Sequence, residues 1–128
     1  MLYAPELDIP PLRLDDTEFD KGFMAGFERS ADKPVVRPVA HVMTQQAEGW
    51  DIYHRARIVR KVHALEAKVE PGFSGAPVLR DGVNVVGMVL AAATDQPGRG
   101  YALTVAEIAR GASLTRAATR KVSTDKCE

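Results

Sequence analysis

The 128-residue chain breaks into short apolar stretches separated by turn residues, a spacing that predicts mostly strands. Met1–Leu14 carries Pro5, Pro10 and Pro11. Proline has no amide proton for a central ladder, so this stretch predicts an extended linker running into an edge strand at Pro11–Leu14. Lys21–Glu28 sets Gly22 and Gly26 among apolar residues and predicts a short strand with a close backbone approach. Ser30–Pro34 predicts a turn. Val35–Thr44 alternates loosely around Pro38 and predicts an irregular strand.

Asp51–Val59 and Lys61–Val69 can be written as two alternating strands. A helix over Tyr53–Lys68 competes with them on propensity. Pro71-Gly72 ends either one. Ala76–Leu79 predicts a short strand and Asp81-Gly82 a hairpin turn. Val83–Ala93 predicts a buried strand by apolar content and β-branching, and Tyr101–Val105 another strand. Thr104-Val-Ala-Glu107 fits a capping box, with a helix after it that stops near Gly111. Many short strands and one closing helix predict a small β-barrel. The expected boundaries are 1–14 for the linker and edge segment, 15–111 for the barrel and 112–128 for a polar tail.

Composition narrows the function classes. A hydrophobic share of 45% suffices for a packed core. Lys plus Arg equals Asp plus Glu at 17 each, so nucleic acid is not expected as a main partner, since it asks for a basic face. The most apolar run, Val83–Ala93, is interrupted by Asn84 and falls well short of the ~20 residues a membrane span needs. Glu6 and Asp8 stand where the apolar part of a signal peptide would build. The single cysteine, Cys127, has no internal partner; it is either a free tail thiol or a bridge to another chain. His41, His54 and His63 offer no short ligand pair by spacing, so neither a metal site nor a cofactor is expected, and each reads as a surface or strand-face histidine.

The chemistry concentrates in Pro71-Gly-Phe-Ser-Gly-Ala-Pro77. It places a serine between two glycines in a tight loop. Gly72 opens backbone conformations closed to other residues. Its amide and that of Ser74 can then turn toward one point and stabilise the oxyanion of an acyl-transfer intermediate. Gly75 leaves the hydroxyl open, and Pro77 stiffens entry to the next strand. Position 76 is Ala, so the segment is not the Gly-x-Ser-x-Gly elbow of α/β-hydrolases. Taken alone, the motif also fits a plain surface turn.

Gly72-Phe-Ser-Gly-Ala-Pro77 resembles the nucleophile signature of trypsin-like serine proteases. Val78–Leu90 resembles the strand, hairpin and strand that come after the serine there. Gly100-Tyr-Ala-Leu-Thr-Val105 resembles the last barrel strand leading to the C-terminal helix. Ala91–Thr104 is similar to the corresponding stretch of the actinobacterial membrane-anchored periplasmic proteases implicated in acid resistance, with the HtrA-type group more distant. The resemblance implies an all-β fold: the C-terminal six-stranded Greek-key barrel of the chymotrypsin-like fold with a short C-terminal helix. It implies Ser74 as nucleophile and the Gly72 and Ser74 amides as oxyanion hole. It implies Leu90, Ala91 and Ala92 as the strand that binds substrate backbone, with Lys68–Pro71 as a pocket wall and Lys68 disfavouring basic side chains.

Leu2–Pro5 and Pro11–Leu14 resemble the family's segments just C-terminal to the triad aspartate. The resemblance therefore implies that the triad His and Asp lie before Met1, on a missing N-terminal lobe. Position 73 is Phe where digestive relatives have Asp, so their activation switch is not expected. The implied partners are a peptide or protein substrate, the missing lobe and, through an exposed lobe interface, a second copy. The family setting is extracytoplasmic and membrane-anchored, although this chain carries no such segment. The competing reading is a non-catalytic barrel that binds a peptide or partner.

Overall fold

The computed structural model describes residues 11–50 and 57–116. Seven strands and one helix run in order: β1 (Arg13–Leu14), β2 (Lys21–Gly26), β3 (Val35–Trp50), β4 (Arg57–Glu66), β5 (Pro77–Leu79), β6 (Asn84–Ala92), β7 (Arg99–Thr104) and α1 (Val105–Arg116). The sheet order is β1-β6-β5-β2-β3-β4-β7, and β7 also pairs with β6. That last pairing closes β2 to β7 into a six-stranded barrel. The strands β5, β6 and β7 succeed one another as antiparallel neighbours, and β4 returns to lie beside β7, which is a Greek key. Two-residue β1 sits outside the ring, parallel to the start of β6.

Most elements fall where the apolar spacing places them. The correction comes at Asp51–Val69. Within the described residues Arg57–Glu66 is one continuous strand, with no break at Arg60 and no helix. Helical propensity loses because β4 finds a partner on each edge: β3 pairs with it from Ala40 to Trp50, and β7 covers Val62–Glu66. The segment 51–56 lies outside the described residues. A second correction concerns β6. It is buried through Val89, but Leu90, Ala91 and Ala92 are exposed.

Alternation along β4 and just past its end sends Leu65 and Ala67 into the barrel, where Met24, Phe73, Val78, Val86 and Val89 meet them. Val62 faces outward and is covered by Leu103 and by Ile108 of α1. The helix passes Gly111, where the sequence suggests a stop. The capping box does not form either. The Thr104 hydroxyl is buried and has no hydrogen-bond partner. The Glu107 carboxylate instead accepts from the Lys61 amide at 3.2 Å and pairs with Arg110.

The Asp81 turn behaves as expected. Its carboxylate accepts bonds from the Val83 and Asn84 amides, both at 2.9 Å, and from the Asn84 side chain at 2.8 Å. Those bonds hold Asp81 at about 2, below its ordinary 3.8.

Candidate active site

The serine loop hangs from one side chain. Phe73 is fully buried, and its ring lies so near Gly26 that a Cβ there would sit 3.0 Å from it. Driving Phe73 into the core turns its neighbours outward, so Gly72, Ser74 and Gly75 are exposed. Phe73 therefore anchors the loop and leaves the serine to solvent.

The backbone needs its glycines. Gly72 has φ +102° and Gly75 φ +86°, a region L-residues rarely enter. A Cβ at Gly72 would stand 2.5 Å from the Phe27 carbonyl, in the connection between β2 and β3 that backs the loop. Gly75 has open space around it, so its requirement is conformational alone. Arg37 of β3 adds a half-buried ion-pair bridge, reaching Glu28 at 2.8 Å and Glu70 at 3.9 Å.

The loop amides divide into two sets. Phe73 donates to Glu70 at 3.1 Å, Gly75 to Val89 at 2.8 Å and Ala76 to Phe73 at 2.9 Å. Among the described residues, the amides of Gly72 and Ser74 make no hydrogen bond. Gly75 and Ala76 also tie the loop to β6, because Val89 donates back to Ala76 at 2.8 Å. The Ser74 hydroxyl donates to the Leu90 carbonyl at 2.9 Å. Ser74, Gly72 and the exposed Leu90–Ala92 segment thus share one end of the barrel. The Lys68 side chain is 79% exposed, pairs with Glu70 at 3.4 Å and borders an open cavity with Asp95 and Arg99.

The histidines lie elsewhere. His63 shares the inward face of β4 with Leu65. Its Nδ1 is 3.2 Å from His41 Nε2, and the Thr44 hydroxyl lies 2.9 Å from the first and 3.0 Å from the second. Phe19 packs against both rings at centroid distances of 5.0 Å and 5.3 Å. Burial pushes the His63 imidazole below its ordinary value. The charges of His41 and Lys61 push the same way, against the Val86 backbone. Sequence reasoning leaves this cluster as separate strand-face histidines. Among the described residues no histidine hydrogen-bonds Ser74; His54 lies outside them.

No family model matches the chain. Two curated relatives do, the serine proteases Rv3671c and MT3772 from two strains of Mycobacterium tuberculosis. Each is 38% identical over 80 residues, 62% of this chain and 20% of the relative. The crystal structure of the Rv3671c protease in its active form superposes with a TM-score of 0.80 at 30% identity. It covers 94% of this chain and 54% of the solved one. The inactive form gives 0.73 at 28%, covering 88% and 59%. The chain is related to the C-terminal lobe of these actinobacterial trypsin-like serine proteases. It spans about a fifth of the curated relatives and about half of the solved chains it matches. The barrel is accordingly the chymotrypsin-like one that the resemblance implied. Among the described residues no helix is long and apolar enough to cross a membrane.

Proposed function

We propose that this chain is the nucleophile-bearing lobe of a serine endopeptidase, with Ser74 attacking the peptide carbonyl. The exposed Ser74, held between two positive-φ glycines with its own amide and that of Gly72 unengaged, is the observation that carries the reading. In this scheme a histidine from a complementary lobe takes the Ser74 proton and later returns it to the leaving amine. The Gly72 and Ser74 amides hold the oxyanion, where one donor is commonly worth about 3–4 kcal/mol. The exposed Leu90–Ala92 edge carries the substrate backbone. The lobe alone is a very poor catalyst, because among the described residues no histidine hydrogen-bonds its serine. The setting is that of the family: extracytoplasmic, beside a membrane-anchored partner segment. The domain reading stays at 15–111 for the barrel, with flanking segments 1–14 and 112–128.

One observation favours a second reading, a non-catalytic peptide-binding barrel. The Ser74 hydroxyl rests on the Leu90 carbonyl, and Leu90 and Phe27 expose large apolar side chains. A fluorophosphonate probe separates the two. Labelling at Ser74 is expected only when the chain is mixed with a separately expressed N-terminal lobe, and Ser74→Ala should abolish it. Labelling of neither sample would favour the binding module. Labelling of the lone chain would reveal a base within this lobe.

A further inference from the structure

We propose that His41 and His63 form a binding site for a divalent transition metal of the zinc class, with Thr44 beside it and water completing the coordination. The site is independent of how Ser74 is read. Two imidazole nitrogens at zinc-ligand distance and a tetrahedral angle stand about 3.3 Å apart, with ring centroids at about 5 Å. Here the nitrogens are 3.2 Å apart and the centroids 5.0 Å, with the rings at 79°. A cation can enter between them with little ring movement.

The surroundings suit a cation. The Thr44 hydroxyl completes a triangle of donors with edges of 2.9, 3.0 and 3.2 Å. Phe19 closes one side with an apolar wall. The pair opens on a cavity of about 640 Å³ that Asp16, Glu18 and Asp20 also line, against the single opposing charge of Lys61. Thr104 lines the same cavity, and its buried, unpartnered hydroxyl is available to a metal-bound water.

No third His, Cys, Asp or Glu joins the pair among the described residues, so the remaining positions stay open to water. Two neutral nitrogens favour Zn²⁺, Co²⁺, Ni²⁺ or Cu²⁺ over Mg²⁺ and Ca²⁺. With so few protein ligands the ion should exchange readily.

The test is titration of the full 128-residue chain carrying Cys127→Ser, which removes its single thiol. Zn²⁺ should bind one equivalent and raise Tm saturably, while Mg²⁺ should do neither. His41→Gln and His63→Gln should each lose at least tenfold in Zn²⁺ affinity, and the double variant should lose the Tm rise. Unchanged binding in the variants, or equal stabilisation by Mg²⁺, overturns the proposal. If the variants do not fold, imidazole ¹⁵N shifts of the His-intact chain decide the matter. Zn²⁺ should move His41 Nε2 and His63 Nδ1. Shifts confined to His54, or none at all, overturn it.

Discussion

The two ends of the barrel solve opposite problems. At the serine end, one contiguous loop leaves Gly72, Ser74 and Gly75 exposed. Phe73 anchors the loop from below, two glycines supply the backbone angles, and the unengaged groups face solvent. At the histidine end, the polar atoms come from β3, β4 and the segment before β2, and they face one another behind Phe19. The first site is shaped by backbone and exposed. The second is shaped by side chains and half-buried. One barrel thus keeps its open chemistry and its enclosed polar cluster on different elements, so each can be perturbed alone.

The sharpest way to break that separation is Phe73→Ala. A large buried ring lost from the core should cost about 3–5 kcal/mol, read as a lower urea midpoint. A cost near zero would mean that the loop does not hang from Phe73. Gly72→Ala comes next. Strain at φ +102° and the approach to the Phe27 carbonyl should cost about 1–3 kcal/mol. In a reconstituted protease it should also remove probe labelling, while leaving the chemical shifts of His41 and His63 in place. Thr104→Val tests the other end and runs the opposite way. Replacing a buried unsatisfied hydroxyl with a methyl should leave stability unchanged or raise it by up to about 1 kcal/mol. A clear loss would mean that the hydroxyl caps α1 after all.

The smallest effect is a pH dependence at Asp81, which belongs to neither end. Its folded value of about 2 lies below the ordinary 3.8. Its contribution is therefore fully present above about pH 4 and lost as the pH falls through 2. Asp81→Asn should flatten that part of the acid-unfolding curve while leaving the rest unchanged.

Legibility in the sequence depends on distance along the chain. The serine loop is contiguous, so Gly72, Ser74 and Gly75 are visible as one unit. The strand order beyond it is visible because Asp81-Gly82 and the β-branched run of β6 are local signals. The histidine cluster joins residues 22 apart. Its assembly depends on which edges of β3 and β4 pair, which no local pattern specifies. Thr104 and Glu107 have the right spacing for a capping box. A tertiary partner, the Lys61 amide of β4, and Arg110 one turn on in α1 take the carboxylate instead. The break expected at Arg60 fails for a similar reason. Pairing with β3 carries Arg57–Glu66 through as one strand wherever the alternation weakens.

The pairing of β3 with β4 steps between His41 and Met43, leaving Val42 as the odd residue. Side chains on a strand alternate by parity, and one extra residue inverts the parity of all that come after it. That inversion lets His41 and Thr44, three apart, meet the same ring of β4. Deleting Val42 would remove the bulge and let His41, Met43 and Thr44 alternate regularly on the faces they already occupy, whereas straightening β3 with Val42 retained would exchange its two faces from residue 43 to its end. The match between β3 and the histidine ring of β4 is thus set by where the chain places one exposed, bulged valine.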